Sequence, residues 1–181
     1  MGDISSILCY NVFGRKFMKT ISLFGHRSIL NKRKLEEKLI KTLKELIPQG
    51  FSRLLIGCHG AFDAIALSTL LNYRNNIDCN INIYVVLTSL SFLNRDYSGY
   101  SKIDFYKENN CETVFYDIEE VYYKNRITFS NRKMIDDSDL IVCYVDMNSL
   151  KSGAKSAIIY ALKQNKRVIN LYTDEDKINK T

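Results

Sequence analysis

Leu140-Ile141-Val142-Cys143-Tyr144-Val145 is an unbroken apolar run. A strand with one wet face alternates apolar and polar residues. A strand that does not alternate is buried on both faces, as in a parallel sheet covered by helices above and below. Shorter runs of the same character lie at Thr20–Phe24, Arg53–Gly57, Ile81–Leu87, Thr113–Tyr116 and Arg167–Tyr172. Helical patterns fall between them. From Asn31 onward, Leu35, Leu39, Ile40, Leu43, Leu46 and Ile47 form one stripe, which Pro48 and Gly50 end. Further helices are predicted over Ala61–Leu71, Phe129–Asp136 and Gly153–Gln164. Such alternation is the pattern of βαβ units. The predicted fold is therefore α/β, a Rossmann-like three-layer sandwich around a mainly parallel sheet of about six strands.

The 181 residues suit one domain. With 46% hydrophobic and 25% charged residues, a disordered tail, a collagen-like repeat and a low-complexity array are excluded. The domain is placed at 19–175, after an N-terminal extension (1–18) without a clear period and before a polar tail (176–181). The segment from Thr88 to Asn110 is polar and Tyr-rich, with Gly99 in its middle. It reads as a long loop with a short helix, over or beside the binding site.

The net charge is +6, from 26 basic and 20 acidic residues. Nucleic-acid binding needs basic residues clustered on one face. Here they are scattered, and Lys32-Arg33-Lys34 is followed by Glu36 and Glu37 on a helix, as on a solvated face. An anionic small molecule is the better match, and nucleic acid is not expected. Cys9, Cys58, Cys79, Cys111 and Cys143 include no C-x-x-C pair, and their odd count does not suit a closed disulfide framework. A reducing, cytoplasmic setting is expected. No apolar run reaches the ~18 residues of a membrane span, and the N-terminus lacks a signal-peptide pattern. Met1-Gly2 with Ser6 fits a myristoylation pattern that arises easily by chance.

In an open parallel sheet, ligands bind beyond the carboxyl ends of the strands. Four loops there carry chemistry. In the first, Gly25 allows close backbone approach, Arg27 offers a fork of donors for phosphate or carboxylate, and His26 suits anion donation or proton transfer. The second is the Gly-x-x-Gly turn Gly57-Cys58-His59-Gly60 before a helix. Its free N–H groups would suit an anion, and Asp63 would cap the helix or hold a ribose hydroxyl. The third is Asn131-Arg132 before Asp136, Asp137 and Asp139. These carboxylates read as helix-end and strand-start residues, with no His nearby for acid–base work. The fourth is Ser152-Gly153, opening the last helix with Lys155 close by, a second candidate phosphate cradle. Neither G-x-G-x-x-G nor the Walker pattern is present, and adjacent Cys58 and His59 make a poor metal pair, so no metal is expected.

In this order and spacing, the strand ending in Gly25-His26-Arg27, the Gly-rich turn ending in Asp63, Asn131-Arg132-x-Met134-Ile135-x-x-Ser138-Asp139, and the Ser152-Gly153 turn before Tyr160-Ala161 and Lys166-Arg167-Val168-Ile169 resemble the SLOG (Smf/DprA–LOG) superfamily. The nearest branch is one of small stand-alone bacterial and phage proteins. The resemblance spans about residues 19–173. It implies a Rossmann-like fold holding a nucleotide or nucleotide-derived ligand, with phosphate-holding loops at Gly57, Gly60 and Asp63 and at Ser152 and Gly153. The superfamily's Gly-Gly-Thr reads Ser152-Gly153-Ala154 here, and the Glu of the phosphoribohydrolase motif has no counterpart in that loop.

The expectation is a sensor or sequestering module for a nucleotide-derived small molecule, with Tyr97 or Tyr100 stacking the base. The alternative is a hydrolase of an N-glycosidic bond using His26, Asp63 or His59. A DNA-processing accessory role is a further alternative. The apolar helix Ala61–Leu71 would suit packing against a second copy.

Overall fold

A computed structural model describes residues 18–150 and 152–176. The extension up to residue 17, with the myristoylation pattern, and the last residues of the tail lie outside the described residues. Six strands form one all-parallel sheet: β1 (Lys19–Gly25), β2 (Phe51–Ile56), β3 (Asn82–Val86), β4 (Glu112–Val114), β5 (Leu140–Tyr144) and β6 (Arg167–Asn170). Their order across the sheet is β4-β3-β2-β1-β5-β6. The chain thus winds outward from β1 to β4, crosses back to lay β5 on the free side of β1, and ends with β6. The reversal puts a crevice between the carboxyl ends of β1 and β5, where Gly25 pairs with Tyr144.

The five helices are α1 (Lys32–Leu46), α2 (Ala61–Asn76), α3 (Lys102–Glu108), α4 (Arg126–Asp136) and α5 (Gly153–Lys163). Strand side chains alternate between two cores. Ile21, Leu23, Leu54, Ile56 and Val142 pack with α1 and α2. Phe24, Leu55, Val86, Ile141 and Cys143 pack with Met134 and Ile135 of α4 and Ala157 and Ile158 of α5. With apolar residues on both faces, the central strands can lie only between two helical layers.

The long segment after β3 holds a single 3-10 turn at Leu90–Leu93 and then α3. Ser101 caps α3 by accepting from the Asp104 N–H at 3.2 Å. No helix among the described residues is long and apolar enough to cross a membrane.

Candidate functional site

A cleft of about 960 Å3 opens over the carboxyl ends of the strands. The loops after β1, β2, β3 and β5, the start of α5 and one side of α4 all reach it. Of the residues singled out in the sequence, Gly25, His26, Arg27, Gly57, Gly60, Asp63, Asn131, Ser152 and Gly153 line it. Arg132 does not join them. Its guanidinium lies over the Tyr160 ring of α5, 5.3 Å from the centroid. Residues 127, 130, 131 and 134 of α4 face the cleft, and position 132 is turned away from them by the helical repeat.

The two helix N-termini differ in what their amides do. At α2 they are occupied. The Ala61 N–H donates to the Arg27 carbonyl at 3.0 Å and the Phe62 N–H to the His26 carbonyl at 3.3 Å. Oδ2 of Asp63 accepts from the N–H groups of His59 and Gly60, at 2.8 and 3.2 Å. The glycines make this packing possible. A Cβ on Gly57 would lie 3.0 Å from Asp63 Oδ2, and one on Gly60 would lie 3.2 Å from the Arg27 Cα. The Gly-x-x-Gly turn is thus a joint between two loops, with its donors spent inside the protein.

At α5 the donors are available. Ser152 Oγ takes the Lys155 N–H at 3.1 Å. The N–H groups of Gly153 and Ala154 have no acceptor among the described residues and line the cleft. Lys155 does not reach inward, since its ammonium donates to the Ser149 carbonyl at 2.8 Å. The exposed Arg27 guanidinium, also at the cleft, makes no hydrogen bond or ion pair among the described residues.

Two more polar groups belong to the lining. Ser130 is fully buried and its hydroxyl has no partner among the described residues. The half-buried Asn131 makes no side-chain hydrogen bond among the described residues. Ser130 escaped the sequence reading because a lone serine on a helix gives no pattern. Thr88, buried in the loop just after β3, escaped for the same reason.

The titratable candidates are held in defined states. Nε2 of His26 accepts the Asp146 N–H at 2.7 Å, so this nitrogen carries no proton. The His26 ring meets Tyr172 edge-on, with centroids 6.1 Å apart. Nε2 of His59 is hydrogen-bonded to Thr88 Oγ1. Burial, then the charges of Arg27 and Lys102, push the His59 pKa down, so its ring is neutral at pH 7. Burial pushes the Asp63 carboxyl up, against the two backbone N–H groups that favour its charge.

The acidic group before β5 is structural. Asp136 accepts from Tyr160 at 2.9 Å, Asp137 from Tyr116 at 2.8 Å, and Asp139 from the Thr20 N–H at 2.8 Å. No cluster of three or more His, Cys, Asp or Glu side chains among the described residues is placed to hold a metal ion.

No protein-family model matches the chain, and no curated protein does. Among solved structures, a Moco carrier protein from Chlamydomonas reinhardtii aligns over 89% of this chain and 81% of its own. The identity is 13% and the TM-score 0.46. A likeness of that degree carries nothing about ligand or activity.

Proposed function

We propose that this domain binds a phosphate-bearing, nucleotide-derived small molecule in the main cleft, as a sensor or sequestering module. One observation carries the reading. The unpartnered N–H groups of Gly153 and Ala154, the unpaired Arg27 and the unpartnered Ser130 hydroxyl all line one cleft of about 960 Å3. Of these Ser130 is buried, and a buried polar group without a partner is rare in folded proteins. Here a ligand's oxygen would supply its missing partner. A helix N-terminus and an arginine together suit phosphate, and the volume is that of a small-molecule site. The resemblance to the SLOG superfamily, with Ser152 and Gly153 as a phosphate-holding loop, supports the same ligand class.

A thermal-shift panel of AMP, ADP, ADP-ribose, NAD and cyclic nucleotides tests this. A ligand at about 100 times its Kd adds about 2.7 kcal/mol, several degrees in Tm for a domain of this size. In Arg27→Ala the response to the same ligand weakens by about tenfold in affinity. An unchanged affinity removes Arg27 from the site.

A second reading, hydrolysis of an N-glycosidic bond, rests on His59. It lies at the cleft, burial and the charges of Arg27 and Lys102 favour its neutral ring, the form a general base needs, and Thr88 holds the ring in place. His59→Gln abolishes turnover under this reading and leaves binding intact. Turnover that survives the substitution rejects it.

A further inference from the structure

On the far side of the β2–α2 turn lies a second cavity of about 540 Å3, which shares Gly57, Gly60 and Asp63 with the main cleft. The long segment after β3 and α3 form its outer wall, through Tyr100, Lys102, Phe105 and Tyr106. Leu67 and Ala64 of α2 form the inner one.

Most of the polar groups here already have partners: Asp96 accepts from the Ser98 and Tyr100 N–H groups, and the Ser101 hydroxyl donates to Asp104. Tyr106 is 6% exposed, yet its hydroxyl makes no hydrogen bond among the described residues. Asp63 commits Oδ2 to the His59 and Gly60 N–H groups, and its Oδ1 has no hydrogen bond among the described residues. Tyr100 is held at the rim by its hydroxyl, which donates to Glu108 at 2.7 Å. Tyr97, by contrast, is fully exposed and lines neither cavity.

We propose that this cavity seats a flat nitrogenous ring of the ligand whose phosphate lies in the main cleft. The inference rests on the reading of that cleft given above. Leu67 and the rings of Phe105 and Tyr100 offer apolar surface to the faces of such a ring. Asp63 Oδ1 accepts from a ring N–H or exocyclic amino group. The Tyr106 hydroxyl donates to a ring nitrogen or carbonyl oxygen. The Asp63 acceptor and the Tyr106 donor, next to the apolar wall of Leu67 and Phe105, complement a nucleobase edge. Because the two cavities meet at Asp63, the sugar of the ligand crosses the β2–α2 turn.

The test is calorimetric titration of the full chain with pyrophosphate, ribose 5-phosphate, ADP, GDP, CDP and UDP. Wild type binds at least one of the nucleotides about tenfold or more tighter than ribose 5-phosphate, as a desolvated ring with paired edges requires. Ala64 is exposed on α2, so Ala64→Trp fills the cavity without disturbing the core. That variant loses the preference for the nucleotide and keeps the affinity for ribose 5-phosphate. Tyr106→Phe, which keeps the ring and removes only the hydroxyl, lowers nucleotide affinity and leaves pyrophosphate unaffected. A wild type that does not distinguish nucleotide from ribose 5-phosphate, or an Ala64→Trp variant that still does, overturns the ring subsite alone. Failure of every probe to bind overturns the main-cleft reading and the subsite with it.

Discussion

The ring of Phe62, at the start of α2, fills the space beside Gly25 at the end of β1, where a Cβ would lie 2.1 Å from its Cγ. Phe62 is fully buried, so it has nowhere to move. Gly25→Ala should therefore destabilise the fold by about 1–3 kcal/mol through overpacking, and Phe62→Ala by about 3–5 kcal/mol through the cavity it leaves. The double variant should cost less than the two together, since the second change removes the clash. Urea unfolding of the three variants checks this. Strict additivity would show that the two residues do not meet.

The same contact marks where the sequence was legible and where it was not. Unbroken apolar runs need cover on both sides, and the six parallel strands follow from that. The start of α5 was legible too, because Ser152 caps its own helix by accepting the Lys155 N–H. The turn at Gly57–Gly60 carries the same local signal but has its amides spent. Its His59 and Gly60 amides go to Asp63, and those of Ala61 and Phe62, which follow it, go to the carbonyls of Arg27 and His26, more than thirty residues upstream. No local pattern reveals an acceptor brought in by tertiary packing. Arg132 was misplaced for a related reason. Its side of α4 is fixed by the burial of Ser130 and Met134, and a serine does not announce itself as a buried position.

Ser130 gives a prediction in which stability and binding part company. Its buried hydroxyl has no partner among the described residues, and such a group costs about 1–3 kcal/mol. Ser130→Ala should leave the unliganded protein as stable or more so, and should weaken the ligand identified by the thermal-shift panel. Thermal melts with and without that ligand measure both. A loss of stability without ligand would show that the hydroxyl has a structural partner.

The end of the chain is tied to α1 by charge. Asp176, its side chain 1% exposed, meets Lys34 at 3.0 Å and Lys38 at 2.8 Å, and accepts the Thr173 N–H at 2.7 Å. Burial alone would raise its pKa. The bonds from Lys38, Thr173 and Lys34 outweigh that and hold it well below its ordinary 3.8. As pH falls past that ordinary value, the unfolded chain takes the proton first. The ionised Asp176 therefore stabilises the fold in full above about pH 4, and this is lost as pH falls toward its depressed value. Asp176→Asn should cost about 2 kcal/mol at pH 7, discounted because both lysines are partly solvated. The gap from wild type should narrow at pH 3. Urea midpoints at the two pH values test it, and a gap that stays constant would remove the ion pairs as its source.

The central claim is that an anion is held by α5 and not by α2. Amide chemical shifts of the 15N-labelled full chain, followed during titration with ADP, read both helix ends at once. The account predicts large, saturating shifts at Gly153 and Ala154, with small ones at His59, Gly60 and Ala61, whose N–H groups already have acceptors. Shifts concentrated at Gly60 and Ala61, with Gly153 and Ala154 unmoved, would contradict it.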